Sequence, residues 1–532
     1  MYIGGQPIII LQDNTVRDRG EEAFKKNIMA AKAISDAVKS TLGPKGMDKM
    51  LVDGMGGVVI TNDGATILKD LDIVHPAAKM LVEVAETLDE ECGDGTTSAV
   101  VLAGELLKQT EEMMGRIHTS TITKGYRMAA EKAIEVLGEM KHEFDPTDRE
   151  MLKAIARTSL TGKSVEVQSD LMEDMVVDTV LSVSEERDGV HHADLDDIKI
   201  IKIPGGTVGN SKWLRGVVVE KERGSERMPY LVNDAAVALL DTPIKIKKPE
   251  VKASIDIRDP ATMRKFHAEE ENRLKSMVQA VSDSGANVLF CKEEINEMAM
   301  ESLARMGIMA VENVDEDDLK MISKFTGGNI VSSTKELDKE NLGAAKKVVE
   351  NRLSDKQYIS VEGEDTKKTV SIILRGGSSH IVEEIQRDLE DALKVVAVAM
   401  EEHAVVPGGG ATEIEISRRL KDYAGTIGGR EQMAIEAFAE ALLVIPTTIA
   451  NNAGLSGLDL VMELTAVHQG GKITHGLEVF SGCLQDSLEC GIVEPFRIKL
   501  QGIRSAAEAA NMILRIDDVI ASRGGMGLEE EE

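Results

Sequence analysis

The segment from Gly93 to Ser98 reads Gly-Asp-Gly-Thr-Thr-Ser and combines residue types that can bind a phosphate group. Glycine lets backbone N–H groups turn toward a ligand, and a helix that begins at Thr96 or Thr97 would direct its positive dipole end and its hydroxyl groups at the same point. Asp94 would repel a phosphate, but its carboxylate suits Mg²⁺, which binds one or two carboxylates together with phosphate oxygens. The segment therefore predicts a site for a magnesium-bound nucleotide.

Other short segments could contribute to this site, although each has a simpler interpretation when it is taken alone. The sequence Asn-Asp-Gly at 62–64 is a common turn, and the glycines at 408–410 could form only a hinge. The segment at 93–98 could be only a helix cap, and Asp391 lies away from the apolar face of its predicted helix, as a solvated acid would. The chain has no G-x-x-x-x-G-K-[ST] motif, so an ordinary P-loop is excluded. Taken one by one, these segments leave nucleotide binding and plain loop structure both open.

The composition limits the fold and the partners. A chain of 532 residues is longer than one hydrophobic core usually supports, which predicts about two to four domains. The 62 basic and 92 acidic side chains give a net charge of −30, which disfavours nucleic acid or an anionic membrane as a partner. No run approaches about 18 consecutive apolar residues and the N-terminus lacks an export pattern, so we expect a cytoplasmic protein.

Cysteine and methionine usage adds two further expectations. The four cysteines lack the spacing of a zinc site, which predicts reduced, structural thiols. The 26 methionines fit either ordinary core packing or a surface that meets varied partners, and the sequence leaves both interpretations open.

Hydrophobic periodicity divides the chain into helical ends and a mixed middle. Strands that alternate with helices in the middle predict a compact α/β domain, and the two ends could form one domain into which the middle is inserted. The predicted segments are helices within 21–140, a β-hairpin at 50–60, β-rich sequence at 198–248, a long polar helix at 259–284, alternating strands and helices at 287–332, and helices at 381–400 and 506–520.

Five segments, taken together, resemble the group II chaperonins, the family of the archaeal thermosome and the eukaryotic cytosolic chaperonin. They occur in the family's order over essentially the whole chain, and the archaeal type is the most similar. The chain differs from many members of the family in its tail, where the Gly- and Met-containing segment is short and covers only 524–527. The segments are Thr41–Met47, Thr61–Thr66, Gly93–Thr97, Val405–Gly410 and Gly491–Pro495.

The resemblance implies a multidomain fold with a mostly α-helical equatorial domain, a small α/β intermediate domain, and an α/β apical domain that carries a helical protrusion. The equatorial and intermediate domains would each be formed from two separate parts of the chain. The implied boundaries are 1–147 and 407–532 for the equatorial domain, 148–214 and 369–406 for the intermediate domain, and 215–368 for the apical domain, with the protrusion at about 246–282.

The resemblance also assigns roles to residues at matching positions. Asp391 would orient and deprotonate the attacking water, Asp63 would assist from the opposite side, and Lys163 would sense the γ-phosphate. Asp94 would bind Mg²⁺, and K⁺ is a further expected ion. The residues that would contact ATP or ADP are Leu42, Gly43, Pro44, Asn62, Gly95, Thr96, Thr97, Ser98, Gly409 and Glu494.

The partners implied by the resemblance are like subunits in a homo- or hetero-oligomeric double ring, and unfolded or partly folded client proteins. The protrusion would form a built-in lid, so no separate lid protein is expected, and neither is a nucleic acid or membrane partner. Two rival hypotheses are a small-molecule kinase built on the same phosphate loops and a ring scaffold that does not hydrolyse ATP. The family's client-binding region matches the helix predicted at 293–305, with Ile295, Met298, Met300 and Leu303, although burial of these side chains in the core fits the same pattern.

Overall fold

The protein divides into two compact units. The structure is a computed structural model that describes residues 2–3, 6–7, 15–52, 54–163, 169–245, 260–353, 356–363 and 369–522. Unit 1 consists of Met1–Ser169 and Asp388–Glu532, and unit 2 consists of Asp170–Arg387. Unit 2 is thus inserted into unit 1, as the helical ends and mixed middle of the sequence predicted. The residues expected to form an intermediate domain are shared between the two units, and the three-domain layout stays a prediction.

The N-terminal part of unit 1 is mostly helical and contains the predicted β-hairpin. Helix α1 shows the basis of the helical pattern, because Ile28, Ala31 and Val38 recur at helical spacing on its buried face. The helices are α1 (Glu21–Lys39), α2 (Gly64–Asp70), α3 (Pro76–Cys92), α4 (Thr96–Met113), α5 (Thr119–Glu139) and α6 (Arg149–Leu160), and the strands are β1 (Tyr2–Ile3), β2 (Gln6–Pro7), β3 (Thr15–Arg19), β4 (Lys49–Val52), β5 (Val58–Thr61) and β6 (His142–Glu143).

Unit 2 is an α/β unit, and its elements alternate as the sequence predicted. The helices are α7 (Ser169–Val183), α8 (Pro260–Asp283), α9 (Glu297–Arg305) and α10 (Glu316–Thr326). The strands are β7 (Ser184–Arg187), β8 (Val190–Ala193), β9 (Ile198–Pro204), β10 (Lys212–Val219), β11 (Leu231–Leu240), β12 (Val288–Cys291), β13 (Met309–Val311), β14 (Ile330–Val331), β15 (Gly343–Leu353), β16 (Lys356–Glu362) and β17 (Val370–Gly376).

One mixed sheet organises unit 2. Its described strands lie in the order β13-β12-β11-β15-β16-β10-β17-β9, with β14 also paired to β11. Strands β11 to β14 pair in parallel, since α8, α9 and α10 connect them, whereas β15 pairs antiparallel with β11 and β16. Of the expected protrusion, residues 246–259 lie outside the described residues, and 260–282 belong to α8.

The C-terminal part of unit 1 begins within α11 and is again mostly helical. The helix predicted at 506–520 differs from the structure, because α16 ends at Ile513 and residues 518–522 form a strand that pairs antiparallel with β3. The elements are α11 (Ser379–Glu402), α12 (Ala411–Ile427), α13 (Gly429–Leu442), α14 (Val444–Asn452), α15 (Gly457–Gln469) and α16 (Phe496–Ile513), with strands β18 (Ala404–Pro407), β19 (His475–Glu478), β20 (Cys483–Asp486), β21 (Val493–Pro495) and β22 (Asp518–Ser522).

The two ends of the chain share one hydrophobic core in unit 1. Tyr126 of α5 is fully buried against Phe438 of α13, edge to face at 5.7 Å, and its hydroxyl donates to the Leu106 carbonyl at 2.8 Å. Among the described residues, the helical stretch Gly429–Asn452 is long and apolar enough to span a membrane, but most of it is buried within this core. The shared core fixes the N-terminal phosphate-loop candidates relative to the C-terminal segments.

Candidate functional site

A cavity of about 390 Å³ in unit 1 is lined by every residue that the sequence predicted for catalysis, nucleotide binding or metal binding. Its volume lies within the range of about 300–1,000 Å³ that is typical of small-molecule sites. The residues come from both ends of the chain and meet because those ends share one core. They are Leu42, Gly43, Pro44, Asn62, Asp63, Asp94, Gly95, Thr96, Thr97, Ser98, Lys163, Asp391, Gly409 and Glu494.

The turn between α3 and α4 brings Asp94 into the cavity. Gly93 ends α3 in the left-handed conformation, with φ 72°, and a Cβ atom there would lie 2.4 Å from Cβ of Lys394 on α11. Only glycine meets both conditions. Asp94 Oδ1 accepts a hydrogen bond from the Gly95 N–H at 2.6 Å, and α4 then begins at Thr96. Because Gly95 has no side chain to cap α4, the first N–H groups of the helix are suited to an anionic acceptor.

Asp63 forms the N-cap of α2 and also lines the cavity. Its carboxylate accepts from the Thr66 N–H at 2.8 Å and the Ala65 N–H at 3.3 Å, which fixes its orientation. A carboxylate has about four lone-pair positions, so capping leaves it able to accept a further hydrogen bond. A Cβ atom on Gly64 would lie 2.3 Å from Thr97 Oγ1, so the absence of a side chain lets this turn approach the start of α4.

Lys163 and Asp391 form a buried ion pair at the cavity. Lys163 Nζ lies 2.7 Å from Asp391 Oδ2, and each side chain is 14% exposed. Burial opposes the charged form of Lys163, but the carboxylates of Asp391, Asp94 and Asp388 outweigh it and raise its pKa. Burial also raises the pKa of Asp391, against the opposing effect of the Lys163 ammonium. The interpretation of Asp391 as a solvated acid is therefore wrong, since the side of α11 that looks polar in sequence faces this cavity.

Two further contacts position this ion pair. On α11, Lys394 Nζ donates to the Asp89 carbonyl at 3.3 Å, which joins the helix to the end of α3. The loop that carries Lys163 is joined to the Asn62 turn, because Asn62 Nδ2 donates to the Gly162 carbonyl at 3.3 Å. The segments that carry Asp63, Asp94, Lys163 and Asp391 are therefore linked by direct contacts.

A further part of the cavity lining consists of residues that were not predicted from the sequence. It includes the β19–β20 hairpin and parts of α14, and it is largely apolar, with Ile445, Ile449, Leu477, Val479 and Phe480. The turn sequence Ser-Gly at 481–482 between two short apolar runs was a signal that could have predicted the hairpin. Nothing in the local sequence indicates that this hairpin lies beside the phosphate-loop candidates.

Lys499 is another lining residue that was not predicted from the sequence. Its ammonium lies 2.6 Å from Glu413 Oε1 and 2.8 Å from Glu494 Oε2. Burial opposes the charge of Lys499, but the two carboxylates outweigh it and raise its pKa, whereas burial raises the pKa of Glu494. The ion pair fixes the position of Glu494 at the cavity.

The donor groups at the cavity fit Mg²⁺ bound together with a phosphate. In the part of the chain that the structure describes, no group of three or more His, Cys, Asp or Glu side chains could hold a metal ion alone. Asp94 and the hydroxyls of Thr97 and Ser98 line the same cavity. Mg²⁺ is usually bound through one or two carboxylates plus substrate phosphates, and this donor set is of that kind.

The four residues predicted to bind clients lie in or beside α9 of unit 2. Ile295, Met300 and Leu303 are buried in the core of the unit, whereas Met298 is 54% exposed. In this structure only Met298 of the four presents substantial apolar surface to a partner. The four cysteines are free thiols, as predicted.

Comparisons with known proteins agree with this architecture. Residues 34–523 match the TCP-1/cpn60 chaperonin family. The chain belongs to this family. A thermosome subunit of Methanopyrus kandleri is 48% identical over 98% of this chain and 95% of its own length. The thermosome subunit alpha of Archaeoglobus fulgidus is 48% identical over 99% of this chain and 96% of its own length, and the subunit beta of Methanothermobacter thermautotrophicus is 48% identical over 100% and 97%.

The resemblance to thermosome-type group II chaperonins is thus confirmed over nearly the whole chain. The chain is a chaperonin subunit, and its general function is that of a protein-folding chaperone. Its helices and its mixed sheet agree with the multidomain fold expected for such a chaperonin.

Proposed function

We propose that this chaperonin subunit hydrolyses ATP to ADP and phosphate and uses the cycle to enclose and release non-native proteins. The observation that carries the proposal is the convergence of Asp63, Asp94 and Asp391 on one cavity that also contains the Lys163 ammonium and the start of α4. Phosphoryl transfer depends mainly on positioning and charge neutralisation, and these groups can supply both.

The cavity is lined by both polar and apolar groups, which suits the phosphates and the base of a nucleotide. The start of α4, with Thr96, Thr97 and Ser98, would bind the phosphates through N–H and hydroxyl groups. Ile449 and Val479 would offer apolar surface to a base, while Glu494 would offer acceptors to sugar hydroxyls. Asp94, Thr97 and Ser98 would hold Mg²⁺, and the chemistry that this ion supplies when bound is neutralisation of phosphate charge. K⁺ is included in the proposal only through the family resemblance.

Asp391 is the proposed general base. Its carboxylate would accept a proton from a water molecule as the water oxygen bonds to the γ-phosphorus and the bond to the β-phosphate oxygen breaks. The raised pKa of a buried carboxylate favours this role, because a stronger base accepts the proton more readily. Asp63, whose carboxylate is oriented by its hydrogen bonds to the start of α2, would hold the same water. Lys163 would keep Asp391 in place until the γ-phosphate attracts the Lys163 ammonium.

Ring assembly is supported by an exposed apolar hairpin in unit 1. Met50 and Val52 of β4 are 65% and 63% exposed, and Met55 in the turn is 98% exposed. Such a ribbon is unfavourable in water unless another surface covers it. We propose that it packs on a neighbouring subunit in a double ring of like subunits, homo- or hetero-oligomeric, in the cytoplasm. The expected lid around 246–282, the three-domain layout and client binding near Met298 are part of the same proposal.

Native mass and phosphate release together test the proposal. The parent should form a ring of megadalton mass and release phosphate slowly. Asp391→Ala should form the same ring but release phosphate at least about 10²-fold more slowly than the parent. An assembled parent without hydrolysis would indicate a ring scaffold. A small, active enzyme that phosphorylates a small molecule would indicate a kinase.

A further inference from the structure

The last turn of α3 concentrates negative charge directly before Gly93–Ser98, the proposed phosphate-binding segment. Asp89, Glu90 and Glu91 are consecutive acids in this turn, which contains no basic residue. The carbonyl groups at the end of a helix form the negative end of its dipole, so the acids add to an unfavourable potential. A cation from another part of the chain would therefore stabilise this end of α3.

Lys394 of α11 supplies such a cation. Its Nζ donates to the Asp89 carbonyl at 3.3 Å and lies 3.6 Å from Asp89 Oδ2. The same carbonyl accepts the Gly93 N–H at 2.9 Å, in the hydrogen bond that closes α3. One acceptor thus joins α11 both to the end of α3 and to the first residue of the phosphate-binding segment. The side chains of Lys394 and Asp89 are 33% and 29% exposed, so the contact is partly shielded from solvent.

The stem of the Lys394 side chain contacts the backbone of the same segment. A Cβ atom on Gly93 would lie 2.4 Å from Lys394 Cβ and 2.7 Å from Lys394 Cδ, so only the absence of a side chain at Gly93 allows this approach. The stem therefore sets how closely α11 approaches the segment, and the ammonium keeps α11 there. A neutral side chain with a similar stem would remove only the second effect.

Lys394 lies about one helical turn after Asp391, the proposed base. Side chains at this spacing are neighbours on one face of a helix, so a contact at Lys394 fixes the turn that carries Asp391. In the proposed reaction the Lys163 ammonium leaves Asp391 for the γ-phosphate, and Asp391 then needs a support that takes no part in the reaction. The contact between Lys394 and Asp89 meets this requirement, since neither residue belongs to the described lining of the cavity.

A second ionic contact holds α11 at its far end. Arg497 of α16 lies 3.0 Å from Glu401 Oε2 and 3.1 Å from Glu402 Oε2. Glu401 is about 15 Å from Asp391 along the helix axis, at a rise of about 1.5 Å per residue. The Arg497 side chain is 37% exposed, which is close to the value for Lys394. Arg497 therefore provides a matched cation that contacts the same helix away from the proposed base.

We propose that Lys394 is a positioning residue for ATP hydrolysis: its ammonium holds the Asp391 turn of α11 against the end of α3 and so keeps the base beside the phosphate-binding segment. The inference rests on the proposed ATP site. Loss of the ammonium should slow the chemical step, because a misplacement of about 1 Å is enough to reduce the rate of a positioned reaction. Nucleotide affinity should change little, because the residues that line the cavity keep their own contacts.

The test measures kcat and KM for ATP in the assembled full-length parent, in Lys394→Met and in Lys394→Arg. Lys394→Met keeps most of the stem but removes the cation, so kcat should fall about tenfold while KM stays within about twofold of the parent. Lys394→Arg keeps the cation and should restore kcat to within about threefold of the parent. A parental kcat in Lys394→Met, a rise in KM alone, or no rescue by arginine would overturn the inference.

Two further variants separate this contact from general docking of α11. Arg497→Met removes the matched cation and should leave kcat within about twofold of the parent, whereas a loss equal to that of Lys394→Met would refute a specific role for Lys394. Asp89→Asn should slow turnover about two- to threefold in the parent, since the carbonyl acceptor remains, and should add less than about twofold in the Lys394→Met background. Losses that multiply would show that the two residues act independently and would contradict the inference.

Hydrogen–deuterium exchange without nucleotide gives a result that does not depend on hydrolysis. In Lys394→Met, amides at 89–93 and 388–395 should lose about tenfold protection relative to the parent, while amides of α5 should not change. Equal protection in the variant and the parent would contradict the role of Lys394 whether or not the protein hydrolyses ATP. A parent that neither binds nor hydrolyses ATP would instead defeat the proposed function.

Discussion

Two buried Lys–Asp pairs, one in each unit, have nearly the same local chemistry but different surroundings. Lys163 pairs with Asp391 in unit 1, and Lys199 pairs with Asp318 in unit 2, with all four side chains between 10% and 18% exposed. Burial raises the pKa of both aspartates, and the lysine opposes this in each case. Asp391, however, lines a cavity together with two further carboxylates, whereas Asp318 is not among the residues of that cavity.

The comparison shows that a buried ion pair does not by itself indicate chemistry. In unit 2 the pair joins β9 to α10 and is sufficiently explained by packing. In unit 1, Asp391 shares with Asp63 and Asp94 a cavity of about 390 Å³, which leaves room for a substrate and a metal ion. The account therefore predicts that equivalent substitutions have similar effects on stability but different effects on turnover.

The largest expected difference is between Asp94→Asn and Asp318→Asn. Asp94→Asn should reduce phosphate release about 10³-fold, since the carboxylate proposed for Mg²⁺ is lost, whereas Asp318→Asn should stay within about twofold of the parent. Steady-state phosphate release across a Mg²⁺ titration measures both. Turnover by Asp94→Asn above about a tenth of the parental rate would contradict the metal-binding role.

Lysine substitutions separate stability from turnover. Lys163→Met and Lys199→Met each leave a buried carboxylate without its cation, so each should lower the free energy of unfolding by about 3 kcal/mol. Urea unfolding would measure this loss. Only Lys163→Met should also slow hydrolysis, by about 10- to 100-fold. An equal loss of turnover in both variants would mean that the unit 1 pair has no special role.

The pH dependence of turnover should distinguish the two aspartates. Because burial raises the pKa of Asp391, the protonated and inactive form accumulates at higher pH than for an ordinary aspartate, and kcat should fall as the pH is lowered. Lys163→Met removes the cation that opposes this rise, so the acidic limb should move upward by about one pH unit or more. Lys199→Met should leave the limb of the kcat–pH profile unchanged. A downward shift in Lys163→Met would contradict the assignment.

A smaller effect is expected at the rim of the cavity. Lys45 Nζ lies 5.8 Å from the centre of the Phe480 ring, and Lys141 Nζ lies 5.6 Å from the Phe496 ring, but only Phe480 lines the cavity. Lys45→Ala should raise KM for ATP about two- to fivefold by loosening the hairpin tip, and Lys141→Ala should not change it. Equal KM values for both variants would show that this contact does not affect the nucleotide.

Local sequence predicted the elements whose signals are short-range. The glycine-rich turn at 93–98 indicated a helix start, and α4 begins at Thr96. Alternating strands and helices indicated the α/β domain in the middle of the chain, because each βα repeat contains its own pattern. The placement of all fourteen site residues around one cavity was anticipated only through the family resemblance.

Other features could not be predicted because their cause lies far away in sequence. Asp391 looked solvated, since the pattern of one helix does not reveal that α11 packs against Gly93. The first residues of strand β22, up to Ile520, were predicted as helix, and the partner strand β3 lies at the other end of the chain. In α9, Met300 and Leu303 follow the same amphipathic pattern whether they face a client or the core, and the structure places them in the core.

The most direct test of the central claim is single-turnover hydrolysis of ATP by assembled Asp391→Asn, with ATP binding measured on the same sample. The substitution keeps the shape of the side chain but removes the proposed base. The account predicts one ATP bound per subunit, as in the parent, and cleavage at least about 10²-fold slower. Cleavage at the parental rate with normal binding would contradict the claim that Asp391 activates the water.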